Sequence, residues 1–215
     1  MSLGQQISQC LQKLGDDFAY QNPSLNDLIE QYLLLIEKWN RIHNLTAVRK
    51  PQDMLIQHVM DSLTAVPHLV GPQIIDVGSG AGLPGIPIAL AKPDWQITLV
   101  ESNQKKAAFL KQVKIELALN NVEVIAQRIE NIQLSKKINV IISRAFSELG
   151  QFLRLTEQLS GEESANCCWV AMKASCTEAE LAQIQMPFVL ESIISLAVPN
   201  LDAQRQLIMI RKQTR

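Results

Sequence analysis

Asp76-Val77-Gly78-Ser79-Gly80-Ala81-Gly82-Leu83-Pro84-Gly85-Ile86-Pro87, DVGSGAGLPGIP, is the stretch on which the reading of this 215-residue chain turns. Ile74 and Ile75 lead into it as a short apolar run, and Ile86, Ile88, Ala89, Leu90 and Ala91 behind it suit a helix. The order is strand, glycine loop, helix. Glycine is favoured where a ligand or neighbouring chain leaves no room for a Cβ, or where φ must be positive. Four glycines within Gly78 to Gly85 therefore point to a ligand lying against the loop.

Working outward, the apolar runs Ile74 to Val77, Ile97 to Val100, Val122 to Ala126, Ile138 to Ile142 and Cys167 to Met172 read as buried strands. Helical patterns such as Lys105 to Leu119 stand between most of them, which predicts an α/β fold with a doubly wound, mostly parallel sheet. Phe188 to Val198 and Gln206 to Arg211, separated by Pro199-Asn200-Leu201-Asp202, read as two antiparallel strands closing one edge and bringing the sheet to seven. Ahead of Gln73 only helices are expected. Ser24 with Asp27 suggests a capping box, Leu25 to Trp39 repeats at helical spacing, and Pro51 suits the first turn of a further helix. Residues 1–215 are thus read as one domain, in which residues 1–70 form a helical extension packed on a core of residues 71–215.

The composition, 47% hydrophobic and 19% charged with a net charge of −1, is that of a globular protein and not of one that coats nucleic acid non-specifically. The first residues lack a signal-peptide pattern, and no run approaches the roughly 20 apolar residues that span a bilayer. A soluble, cytoplasmic chain with no membrane partner is expected, acting as a monomer. Cys10, Cys167, Cys168 and Cys176 form no C-x-x-C pair, and His43, His58 and His68 show no metal-binding spacing, so no metal site is expected.

Two ligand classes compete for the loop. Gly80 to Gly85 matches the dinucleotide pattern G-x-G-x-x-G, but there the first glycine stands directly at the strand end, and here Asp76-Val77-Gly78-Ser79 intervene. No Y-x-x-x-K is present for hydride chemistry, and no Gly-Lys-Ser/Thr for a P-loop. S-adenosylmethionine fits better. It carries a sulfonium cation, which suits an acid at Asp76, and a carboxylate, which suits backbone amides at the loop. Glu101, 25 residues after Asp76 and at the end of the next strand, is placed to grip ribose hydroxyls, the lesser alternative being a cap on the following helix.

These residues resemble the bacterial 16S rRNA guanine-N7 methyltransferases, also known as glucose-inhibited division protein B. The likeness rests on the proline-bearing loop Leu83-Pro84-Gly85-Ile86-Pro87, Trp39-Asn40 with Asn44-Leu45-Thr46-Ala47, and His58 with Asp61-Ser62-Leu63. Lys105-Lys106-Ala107-Ala108-Phe109-Leu110 and Ser143-Arg144-Ala145-Phe146 carry it further, so that it covers nearly the whole chain. Asn139, where an acid is usual, and Ala174, where glycine is usual, depart from the pattern. The resemblance implies a class I, Rossmann-like S-adenosylmethionine-dependent methyltransferase acting on 16S rRNA within the small ribosomal subunit or its precursor. It places cofactor contacts on Gly78, Leu83, Ile129, Glu130 and Arg144; the reading of the residues themselves adds Asp76, Gly80 and Glu101.

Guanine N7 offers its lone pair in the neutral base, so transfer to it needs no general base, and none of the motifs that serve exocyclic amines or cytosine C6 is present. Arg144, following the strand that ends near Ile142, is the residue expected to position substrate, by donating to guanine O6, to a phosphate or to the cofactor. Lys173 at the next strand end, Arg205 near the C-terminus, and Asn44 and Thr46 beside Arg41, His43, Arg49 and Lys50 are the further substrate-binding candidates; Arg211, Lys212 and Arg215 complete a second basic group. His58 and Asp61, at i and i+3, suit a structural hydrogen bond as well as a substrate role. A small-molecule methyltransferase or a non-catalytic S-adenosylmethionine-binding module remains the alternative.

Overall fold

The computed structural model describes residues 1–15, 22–134, 136–144, 146, 148–161 and 167–213. Seven strands, β1 (Gln73–Val77), β2 (Gln96–Val100), β3 (Val122–Ile125), β4 (Val140–Ser143), β5 (Cys168–Lys173), β6 (Phe188–Ser195) and β7 (Gln206–Lys212), form one sheet in the order β3-β2-β1-β4-β5-β7-β6. Pairings among β1 to β5 are parallel, and β7 runs antiparallel to both β5 and β6. The order reverses between β1 and β4. In an open α/β sheet the crevice beyond the strand ends at such a point is where ligands bind.

Both faces of the sheet are covered, which is why the central strands read as unbroken apolar runs. On β4 and β5, Val140, Ile142, Cys168, Val170 and Met172 face one core, while Ile141, Trp169 and Ala171, with Cys167 just ahead of β5, face the other. The first core includes the amino-terminal helices α1 (Leu3–Leu14) and α2 (Leu25–His43), through Ile7, Ile29, Tyr32, Leu33 and Ile36. It also takes in α3, which runs from Pro51–Met54 through a π-helical segment, Leu55–Met60, into Asp61–Leu63. Helices α4 (Gly85–Ala91) and α5 (Gln104–Glu116) lie on the same side. The second core is closed by α6 (Leu149–Thr156), whose Thr156 Oγ1 accepts from Trp169 Nε1 at 2.9 Å. A short α7 (Glu178–Leu181) precedes β6.

Three local expectations need correction. Ser24 makes no side-chain cap on α2, because its backbone (φ −88°, ψ 3°) is not extended as a capping residue's is. Asn22 takes the role instead: its Oδ1 accepts from Ser24 N at 3.1 Å and its Nδ2 donates to Leu90 O at 2.8 Å. The helix expected to run to Leu119 ends at Glu116, with Ala118 in the left-handed region (φ 51°). Strand β6 stops at Ser195, three residues short of Val198. Among the described residues no helix is long and apolar enough to cross a membrane.

Candidate active site

The glycine loop leaves β1 and is tied to β2 at once: Gly78 N and Ser79 N both donate to Val100 O, at 2.9 and 3.1 Å. Asp76 lies beneath it, fully buried, with Oδ2 accepting from Gly85 N at 2.9 Å and Oδ1 without a hydrogen-bond partner. Burial pushes its carboxyl up to about 7, against the pull of the Gly85 amide. Glu101 bridges the two strand ends, one oxygen accepting from Gly80 N at 2.9 Å and the other from Asn103 N at 2.8 Å. Asn103 itself caps α5 through its side chain. From the other side Tyr32 on α2 donates its hydroxyl to Ala81 O at 2.7 Å.

The four glycines divide into two kinds. A Cβ on Gly85 would collide with Leu99 and Asp76, and one on Gly82 would lie 3.2 Å from the Tyr32 hydroxyl and closer still to Ile86. These two serve packing inside the protein, not ligand approach. Gly80, at φ +59°, faces open space, its nearest neighbour in that direction being Gly78 O at 3.8 Å. Gly78 (φ 72°) and Gly80 line a cavity of about 190 Å³ together with Leu45, Thr46, Ser79, Ala81, Leu83 and Arg144.

A second cavity, of about 300 Å³, adjoins the first at Arg144 and is lined by Gln57, His58, Asp61, Arg144, Met172, Lys173, Ala174, Leu196, Arg205 and Gln206. Arg144 thus borders both. It follows β4, which is anchored beside the loop by Ser143 Oγ donating to Val77 O at 2.8 Å. Its Nη1 donates to Gln57 O and to Asp61 Oδ2, each at 3.1 Å, and its Nη2 faces His58 Nδ1 at 3.4 Å. Asp61 takes a second guanidinium, Arg205 Nε donating to Oδ1 at 3.0 Å. His58 Nε2 meets Thr46 Oγ1 at 2.7 Å. Burial first, and Arg144 second, hold the His58 imidazole down at about 4, so it is neutral near neutral pH.

Of the candidates read from the sequence, Gly78, Gly80, Leu83, Thr46 and Arg144 meet at the first cavity, and Arg144, Lys173 and Arg205 at the second. Lys173 Nζ pairs with Glu180 Oε1 at 2.6 Å. Asp76 and Glu101 sit below and beside the loop, bonded to it without lining either cavity. Ile129 is buried and Glu130 exposed in a 3-10 turn after β3, and neither borders the two cavities. Asn44 ends α2 in the left-handed region (φ 47°) and its Oδ1 accepts from Arg49 Nη2 at 3.2 Å. The second basic group divides: Arg205 enters the site, whereas Arg211 and Lys212 pair with Glu191 and Glu157 toward the far end of β7. Arg215, and Ala145 of the Ser-Arg-Ala-Phe stretch, lie outside the described residues. Tyr32 and Gln57 were not singled out from the sequence; a buried tyrosine on an apolar helix face carries no signal of what its hydroxyl meets.

The pattern of residues 25–209 matches the family described as rRNA small subunit methyltransferase G. The chain belongs to that family. The ribosomal RNA small subunit methyltransferase G of Nitrosomonas eutropha is 47% identical over 214 residues, covering 98% of each chain. That of Nitrosospira multiformis is 54% identical over 186 residues, covering 85% of this chain and 86% of the relative. Among solved structures, an O-methyltransferase of neocarzinostatin biosynthesis, in complex with S-adenosylmethionine and a naphthoic acid, superimposes with a TM-score of 0.55 at 13% identity, covering 70% of this chain and 50% of the other. That likeness is one of fold, and it is the class I methyltransferase fold.

Proposed function

We propose that this methyltransferase transfers the methyl group of S-adenosylmethionine to N7 of a guanine in 16S rRNA, acting on the small ribosomal subunit or its precursor as a cytoplasmic monomer. The observation that carries the reading is the place of Arg144, on the shared wall of two cavities, one under the glycine loop and one among arginine, lysine and histidine.

The first cavity fits the cofactor. Gly80 presents open space where any Cβ would project, and Leu83 adds an apolar contact. Glu101 spends one lone pair of each oxygen on Gly80 N and Asn103 N, which orients it and leaves further lone pairs for ribose hydroxyls. Ile129 and Glu130, beyond β3, are assigned to the adenine, and Asp76 to holding α4 under the loop. S-adenosylmethionine, when bound, supplies an electrophilic methyl group on a sulfonium sulfur. The second cavity is assigned to the target guanine and its phosphates, with Lys173 and Arg205 as cationic contacts; Asn44 orders the chain that carries Thr46 to the wall of the first cavity.

Guanine N7 carries no proton, so the chain's task is to hold nitrogen, methyl and sulfur in line, a contribution worth about 7–11 kcal/mol in well-oriented reactions. Arg144 is fixed by two bonds from Nη1 and donates from a planar fork, which suits guanine O6 or a phosphate. The test is transfer of labelled methyl from S-adenosylmethionine to small subunits and to naked 16S rRNA lacking the modification, with the product nucleoside identified. The expected product is 7-methylguanosine. Arg144→Ala should keep its fold and lose transfer by about 100-fold or more. Wild-type activity in that variant would remove Arg144 from the mechanism, and no incorporation into either RNA would point to a small-molecule acceptor.

A further inference from the structure

The hydrogen bonds around His58 leave one donor without an acceptor. Thr46 is held from several sides: its N–H donates to Asn40 Oδ1 at 3.0 Å, Asn40 Nδ2 donates to Val48 O at 3.1 Å, and Val48 N donates to Thr46 Oγ1 at 3.2 Å. The remaining contact of Thr46 Oγ1 is His58 Nε2, at 2.7 Å. Its direction follows from the other ring nitrogen. Nδ1 faces Arg144 Nη2 at 3.4 Å, and a guanidinium donates but never accepts. Gln57 O also lies beside the ring, but it already accepts from Arg144 Nη1 at 3.1 Å, and an N–H on Nδ1 would face the guanidinium; the lone pair is therefore assigned to Nδ1 and, in the neutral imidazole, the proton to Nε2.

Nε2–H donates to Thr46 Oγ1, which now accepts twice, and its own hydroxyl hydrogen has to point elsewhere. Among the described residues nothing accepts it. Thr46 borders the glycine-loop cavity with Gly78, Gly80, Leu83 and Arg144, and it does not border the larger cavity. A donor fixed in this way selects an acceptor atom in whatever enters. The sulfonium and ammonium of S-adenosylmethionine cannot accept, its ribose hydroxyls are matched to the acceptor Glu101, and its adenine nitrogens, which can accept, are assigned beyond β3 to Ile129 and Glu130, away from the cavity that Thr46 lines. Its carboxylate is the group suited to a wall that also holds the Arg144 guanidinium.

We propose that Thr46 is a cofactor-binding residue contributed by the amino-terminal helices, donating its hydroxyl hydrogen to the carboxylate of S-adenosylmethionine, with His58 the positioning residue that keeps it a donor. The assignment rests on the reading of the glycine-loop cavity as the cofactor's. It extends the cofactor site beyond the sheet and makes residues 40–58 part of it.

Binding is measured by titration calorimetry with three probes, S-adenosylmethionine, S-adenosylhomocysteine and 5′-methylthioadenosine, the last lacking the amino-acid end. Thr46→Val should weaken the first two by about 10-fold to 100-fold, the range for a hydrogen bond to a charged group, and leave 5′-methylthioadenosine and the KM for RNA unchanged. Thr46→Ser, which keeps the hydroxyl, should bind as wild type. His58→Leu should reproduce the Thr46→Val loss and add little to it in the double variant. His58→Gln, whose amide can accept from Arg144 and donate to Thr46, should restore affinity. Each affinity is read on protein with an intact thermal transition, and Thr46→Ala replaces Thr46→Val if the latter does not fold. Unchanged S-adenosylmethionine affinity in the variant overturns the proposal, as does an equal loss for 5′-methylthioadenosine, or a raised KM for RNA with cofactor affinity intact. Wild-type protein that binds none of the three overturns the reading of the loop itself, and this proposal with it.

Discussion

The glycine loop and the π-helical segment of α3 meet at Arg144, yet they are built by opposite means. The loop is local. Apart from Tyr32, which reaches Ala81 O from α2, its partners Asp76, Ser79, Val100 and Glu101 lie within about 25 positions of one another, and its shape comes from backbone amides and glycines. The α3 segment works at long range: Asp61 meets Arg144 across 83 positions and Arg205 across 144. A local device is written as a motif, while a long-range one exists only once three separate parts of the chain have docked. π-Helical turns inside helices frequently mark functional sites, because the extra residue re-aims side chains. Here the segment delivers His58 and Asp61 to the loop after β4.

The comparison is broken most severely at Asp61. Its side chain is 3% exposed and pairs with two guanidinium groups that are 22% and 23% exposed. Removing one partner of a buried ion pair leaves uncompensated charge and costs about 3–5 kcal/mol. Asp61→Asn should therefore lower the unfolding free energy by about that amount in urea titration. It should also reduce methyl transfer more than Lys173→Ala does, because Arg144 loses its support. An Asp61→Asn protein as stable as wild type would show that the three regions dock without it.

Within the loop, the division of glycines predicts two different losses. Gly85→Ala places a methyl group against Leu99 and Asp76, an overpacking that costs about 1–3 kcal/mol and should appear as a lower thermal midpoint. Gly80→Ala makes only an ordinary contact, with Gly78 O at 3.8 Å, but adopts a left-handed backbone, costing about 1–2 kcal/mol. Its methyl group would occupy the cavity, so cofactor affinity should fall by more than the stability loss accounts for. Equal ratios of stability loss to affinity loss in the two variants would erase the distinction between packing and ligand-facing glycines.

How much could be read in advance follows the same line. The strands at Ile74 to Val77 and Ile97 to Val100 were expected within one residue of where β1 and β2 lie, since buried parallel strands are continuous apolar runs. The antiparallel edge was legible from the turn at Pro199 to Asp202. The role of Asp61 was not. His58 and Asp61 suggested a bond between themselves at i, i+3, but the π-helical turn sends both to Arg144 instead, and no pattern in residues 51–63 announces a guanidinium from elsewhere. Ser24 misled for a smaller reason: a capping sequence does not show that Asn22 will bend the chain first. Gly82 and Gly85 were read with Gly80 as ligand-facing, because glycine signals a missing Cβ without saying what fills the space.

The smallest effect is expected in the unaltered protein, where the two regions cancel. His58 in α3 has a folded value of about 4 against an ordinary 6.5, so the unfolded chain binds the extra proton and its contribution to stability is lost as pH falls from about 6.5 to 4. Asp76 under the loop has a folded value of about 7 against 3.8, so there the folded chain binds the proton and stability rises as pH falls through about 7 to 4. Between pH 6 and 5 the two slopes oppose each other, one proton each. Asp76→Asn, whose amide oxygen can still accept from Gly85, leaves the His58 slope alone and should lose about 1.4 kcal/mol more than wild type per pH unit on acidification. His58→Gln leaves the Asp76 slope and should gain by a similar amount relative to wild type over the same interval. Urea unfolding at pH 5 and 6 reads both differences directly, and parallel slopes for all three proteins would mean that neither group is shifted by its burial.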